Sequence, residues 1–106
     1  MATEETNIMN ACMVALSKAG CLVFRNNVGV LPDREGRPIR YGLGTGSSDL
    51  IGICADGVFL AIEVKTAAGR VSPAQEAFIA AVRRQGGRAG VARCPDDALR
   101  IALPSP

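Results

Sequence analysis

SSDLIGICADGVFLAIEVK, residues 47–65, is the stretch on which the fold turns. Two apolar runs, 49–54 and 58–65, flank Ala55-Asp56-Gly57, and such runs around a short glycine-containing loop predict a buried β-hairpin. If Gly57 takes the left-handed position of a three-residue loop, Cys54 faces Val58 and, counting back, Asp49 faces Glu63. Directly opposed side chains leave one face with Cβ atoms roughly 4.5–5.5 Å apart. Lys65, two residues past Glu63, projects from that same face. A two-residue turn would shift the register by one and put the acids on opposite faces. FLAIEV (59–64) is almost unbroken apolar sequence, as in a strand covered on both sides, where a solvated ion pair does not belong. Hard oxygen ligands converging there suit Mg²⁺ or Mn²⁺. The bland alternative makes Glu63-x-Lys65 a surface ion pair and Asp49 the residue that ends its strand.

Working outward, Ile8, Cys12, Ala15 and Leu16 recur at helical spacing between Glu4 and Lys18, with Thr3 as cap and Gly20 as stop. CLVFRNNV (21–28) reads as a strand. The following VGVLPDREGRPIRY carries turn formers and clustered charge and reads as an exposed loop or ribbon. GLGTGSS (42–48) is a glycine-rich approach to the hairpin and not a Walker A loop, since no Gly-Lys-Ser/Thr follows. SPAQEAFIAAVRRQGG is a helix with Ser72 as cap, Pro73 at its first position and Gly86-Gly87 at its end. AGVAR (89–93) is a short strand and CPDDALRIAL a closing helix. The order α-β-β-β-α-β-α predicts an α/β layer on one mixed sheet, in one domain spanning 1–106.

Two further polar residues fall on inward stripes. Glu5 lies close to the line of Ile8, Cys12 and Leu16, and either turns a third carboxylate toward the site or simply favours the helix N-terminus. Gln75 either completes a capping box with Ser72 or, in register with Phe78, Ile79 and Val82, points its amide at the site.

Composition removes other chemistries. Among 106 residues there is no histidine, which excludes histidine-based nucleophilic and general-base schemes. The four cysteines form no CxxC pair and are expected to be buried free thiols, and a zinc site would need all of them. A net charge of +2 does not by itself announce a nucleic acid, although ten of the twelve cations are arginine, whose planar fork suits phosphate. No signal-peptide pattern and no long apolar run is present, so a cytoplasmic protein away from the membrane is expected.

A helix bearing Glu5, FRNNVG (24–29), GRPIRYGLGTGSSDLIG (36–52), FLAIEVK (59–65), GRVSPAQ (69–75) and GGRAGVAR (86–93) together resemble the stand-alone VRR-NUC nucleases, a branch of the PD-(D/E)xK superfamily found in phages and bacteria. The resemblance runs from Glu5 to about Asp97. It implies a restriction-endonuclease-like fold and hydrolysis of DNA phosphodiesters, dependent on Mg²⁺ or Mn²⁺ and leaving a 5′-phosphate. On this likeness Asp49 is the motif's Asp, Glu63 and Lys65 its E-x-K, Gln75 the glutamine of the next helix and Glu5 the acid of the first helix. The Val64 carbonyl would join Asp49 and Glu63 on the metal. Ser48 stands where the motif's name has proline. Small members look like homodimers acting on branched DNA such as four-way junctions. Arg25, Asn27, Arg37, Arg40 and Arg70 flank the expected site and are candidate phosphate contacts. With only three Phe and one Tyr there is no stacking platform, which favours reading of backbone shape. A non-catalytic nucleic-acid-binding or assembly module on the same fold is the competing expectation, and a hydrolase of small phosphate esters a third.

Overall fold

The computed structural model describes residues 3–104. Helix α1 (Glu4–Lys18) opens on Thr3, whose hydroxyl accepts the Thr6 amide at 3.1 Å, and its C-cap Ala19 is followed by Gly20 at φ +91°. Strand β1 (Leu22–Arg25) follows, then β2 (Gly29–Pro32), β3 (Pro38–Tyr41), β4 (Leu50–Ile53) and β5 (Phe59–Val64). Helix α2 (Pro73–Arg84), strand β6 (Arg88–Ala92) and helix α3 (Pro95–Ala102) complete the chain. The main sheet runs β1-β4-β5-β6, antiparallel except for the parallel β5–β6 pair, so it is mixed as expected.

The segment read as a loop or ribbon is a second sheet of two strands, β2 paired with β3. This adds two strands to the expected order but none to the main sheet. Its residues are mostly apolar, yet almost all are exposed, because the ribbon pairs only with itself. Regular strands are also shorter than their apolar runs. Residues 26–28 leave β1, and Asp49 and Lys65 lie just outside β4 and β5.

The hairpin register is the one the three-residue loop demands. The Cys54 amide donates to the Val58 carbonyl at 2.7 Å, the Gly57 amide to the Cys54 carbonyl at 2.8 Å, and Gly57 sits at φ +87°. Leu50 pairs with Ile62 and Ile53 with Phe59, so Asp49 comes opposite Glu63. One face of the sheet buries Leu50, Cys54, Leu60, Ile62 and Val64 against Met9, Cys12 and Leu16 of α1 and Ala98 and Ala102 of α3. On the other face α2 lays Phe78, Ile79 and Val82 on Ala61, Ala89 and Val91. Glu63 and Lys65 share the parity of Ala61 and so belong to the α2 face, carried by a central strand. Of the four thiols, Cys12, Cys21 and Cys54 are buried, whereas Cys94 is exposed because it precedes α3 at its N-terminus. Among the described residues no helix is long and apolar enough to cross a membrane.

A candidate metal and phosphodiester site

The site forms where the β4–β5 ladder stops. Bonded pairs recur at every second residue of an antiparallel ladder, and Cys54 with Val58 is one of them. The alternation makes Gly52/Leu60 and Leu50/Ile62 the next bonded pairs, and Ser48/Val64 the rung after those. That rung is not made. The Val64 amide donates instead to Asp49 Oδ2 at 2.9 Å, while the Ser48 carbonyl accepts from Asn26 Nδ2 at 2.9 Å. The chain before Leu50 has left β5 and follows β1, whose extension donates the Asn26 amide to the Asp49 carbonyl at 2.7 Å. The parting of the strands leaves room beside the Asp49 carboxylate. The Val64 carbonyl lies on the same edge of β5 as its amide, turned toward that opening.

Glu63 is 3% exposed. Burial pushes its carboxyl up to about 9, with Asp49 close enough to share a proton and to repel a second charge, Glu5 adding to the repulsion and Lys65 opposing it. Its Oε1 is buried with no hydrogen-bond partner, and so is Ser48 Oγ next to Asp49. Orphaned buried polar atoms are costly and mark places where an ion or water completes the shell. Among the described residues no three His, Cys, Asp or Glu side chains cluster tightly enough to hold a metal by themselves. Two carboxylates and a carbonyl edge nevertheless match what Mg²⁺ takes from proteins, since it keeps several waters and binds one or two carboxylates together with substrate phosphate. The donor set and the orphaned Oε1 fit a small hard cation.

The fold brings Asp49, Glu63, Val64 and Lys65 together. Glu5, in the first turn of α1, is half-buried and near enough for its charge to reach Glu63. Gln75 resolves to the capping reading: its Oε1 accepts the Ser72 amide at 2.9 Å, and its own amide donates to Ser72 Oγ at 3.2 Å. Arg25 and Asn27 line a cleft of about 440 Å³ together with Asp49, Met9 and Tyr41. Arg40 donates to Thr45 Oγ1 at 3.1 Å and Arg70 is exposed between β5 and α2. Among the described residues none of Arg25, Arg40 and Arg70 is within ion-pair distance of a carboxylate. Arg37 differs: at the ribbon tip it is bound to Asp33 at 2.7 Å and Glu35 at 3.1 Å, so its guanidinium is engaged.

Three residues escaped the reading of the sequence. Asn26 also donates to Ser47 Oγ at 2.8 Å, tying down the approach to Asp49, and its only sequence signal is a place in FRNNVG. Gly69 lies against the stem of Lys65, where an added Cβ would come within 3.3 Å of Lys65 Cβ and Cδ. Arg93 donates to the carbonyls of Thr66 at 2.5 Å and Gly69 at 2.7 Å, bracing the turn beneath Lys65. Nothing in the spacing of Arg93 announces a bond reaching back across two elements.

Comparison with known proteins accords with this architecture. A solved structure described as a VRR_NUC domain superposes with a TM-score of 0.65 over 94% of this chain and 95% of its own length, at 24% identity, which shows a shared fold. No curated protein matches the chain. The family model of the VRR-NUC domain matches residues 4–95, a span holding Glu5, the hairpin with Asp49, Glu63 and Lys65, and Gln75. The shared fold and the family match agree, and the chain belongs to the VRR-NUC domain family, a nuclease-related family.

Proposed function

We propose that the chain is a DNA nuclease that hydrolyses phosphodiesters with Mg²⁺ or Mn²⁺ and acts as a homodimer selective for branched DNA such as four-way junctions. The observation that carries the catalytic reading is the paired Asp49 and Glu63 carboxylates, one oxygen orphaned, beside Lys65 at the parting of β4 from β5. Asp49, Glu63 and the Val64 carbonyl would hold the cation, which when bound neutralises scissile-phosphate charge and acidifies water at neutral pH.

The chain's own groups have separable tasks. The Val64 amide fixes one oxygen of Asp49, which sets the direction of the carboxylate before substrate arrives. Glu63, held in a buried strand, contributes a rigid oxygen whose rotamer freedom is already spent. Lys65, half-buried and flanked by Gly69, would orient the attacking water and steady charge developing on the phosphate. Glu5 supplies further negative charge at the site's edge, and Gln75 caps the start of α2. Arg25, Asn27, Arg40 and Arg70 are offered to flanking phosphates.

The test uses labelled linear duplex and four-way junction with and without Mn²⁺. Expected results are Mn²⁺-dependent cleavage favouring the junction, its loss in Asp49→Ala and Glu63→Gln, and a fall of about 10²–10³-fold in Lys65→Ala. Cleavage of neither substrate by wild type, or undiminished cleavage by the variants, overturns the reading in favour of a non-catalytic binding module.

A further inference from the structure

Antiparallel strands that carry free amides and carbonyls continue to pair unless something competes for those groups. Here the rung between Ser48 and Val64 is geometrically next and is missing: Asn26 takes the Ser48 carbonyl and Asp49 the Val64 amide. Asn26 bonds three consecutive residues: Nδ2 to Ser47 Oγ at 2.8 Å, Nδ2 to the Ser48 carbonyl at 2.9 Å, and its backbone amide to the Asp49 carbonyl at 2.7 Å. The middle bond is to the carbonyl that would otherwise accept from Val64.

We infer that Asn26 is a positioning residue that ends the β4–β5 ladder, so that Asp49's carboxylate, not the Ser48 carbonyl, receives the Val64 amide. Only a carboxamide of this length serves, because two donors on one nitrogen must reach a hydroxyl and a carbonyl at once. Aspartate has the same shape but, ionised, sets an acceptor against the Ser48 carbonyl and keeps at most the Ser47 hydroxyl as a partner. Alanine leaves the Ser48 carbonyl free to close the rung, which would occupy the Val64 amide and carbonyl together and deprive the Asp49 carboxylate of the amide that fixes it. Asn26 also lines the cleft shared by Arg25, Asn27 and Asp49, so the same residue sets the wall of the opening and the depth of the carboxylate within it. The proposed nuclease activity enters only in naming what the opening serves.

The experiment compares wild type with Asn26→Ala and the isosteric Asn26→Asp, which guards against a variant that fails to fold. Amide hydrogen exchange on metal-free protein is expected to slow at Ser48, whose amide would meet the Val64 carbonyl in the closed rung, and to stay unchanged in β6. A general loss of stability would not confine the change in that way. Calorimetric Mn²⁺ affinity is expected to fall about 10–100-fold, as when a group that orients a ligand is removed. Cleavage in Asn26→Ala is expected to recover toward the wild-type rate at saturating Mn²⁺. Wild-type exchange at Ser48 in both variants, or wild-type Mn²⁺ affinity in both, overturns the inference. If wild type binds Mn²⁺ but cuts no DNA, the nuclease reading falls while exchange and calorimetry still decide the role of Asn26; if it takes up no Mn²⁺, exchange alone decides it.

Discussion

At the scale of the residue, Glu63 is the group whose chemistry the fold changes most. Unfolded, its carboxyl titrates near the ordinary 4.5, whereas in the folded, metal-free protein it holds its proton up to about 9. Between those values unfolding releases a proton, so this group's contribution to stability is full below the lower value and declines as pH rises toward the upper one. Melting temperature of the metal-free protein is therefore expected to fall between about pH 5 and about pH 9. Glu63→Gln should flatten that slope, and saturating Mn²⁺ should remove it, because a cation favours the ionised pair. A metal-free melting temperature that rises through the same range contradicts the buried-proton account. Asp33, Asp56 and Asp97 act in a separate window: hydrogen bonds and arginine partners hold their carboxyls below the usual range, so what they add is lost only in more acid solution.

At the scale of the element, the hairpin places the site through two glycines with different duties. Gly57 adopts φ +87° in open space, so alanine there brings only backbone strain, about 1–2 kcal/mol. Gly52 lies in β4 under the neighbouring strand, where an added Cβ would stand 2.0 Å from the Leu22 carbonyl oxygen. Neither backbone can yield without separating β1 from β4, and β1 leads into Asn26. Gly52→Ala is expected to cost about 3 kcal/mol or more, against the smaller loss in Gly57→Ala. Chemical denaturation of the two variants side by side checks the order, and equal losses would show that the β1–β4 contact is softer than its geometry. The ribbon β2–β3 illustrates a different limit: its pairing is regular, but with almost every residue exposed it has no core of its own to rest on.

At the scale of the whole molecule, apolar surface is distributed unevenly. Helix α2 packs on β5 and β6, leaving Leu22, Phe24, Ile53 and Phe59 exposed on the same sheet, while the ribbon exposes Val30, Leu31, Ile39 and Tyr41. Two such patches on a chain this small need cover. The two-fold dimer proposed above would give such surface a partner. A standard interface takes about 800 Å² from each partner, an area of the order that eight half-exposed large side chains supply. Sedimentation of wild type at micromolar concentration is expected to give a dimer, and Leu31→Glu to weaken it by about 30-fold or more. A wild-type monomer throughout that range rules the pairing out.

The hairpin register, the face shared by Asp49, Glu63 and Lys65, the helix caps and the mixed sheet were all legible in the chain. Each rests on short-range rules, the alternation of a strand, the handedness of glycine and the spacing of a cap, that act within a few residues. The segment was legible as an exposed loop or ribbon without deciding between them, because whether such a stretch pairs depends on a partner strand and not on its own pattern. The spacing of Gln75 suits both the cap and the inward row, and the folded chain gives its oxygen to the Ser72 amide. Tertiary structure alone decided where the ladder stops, through Asn26, and what braces Lys65, through Arg93 and Gly69. These contacts join elements distant along the chain, and their bonds exist only once packing has brought β1 beside β4 and β6 beside β5.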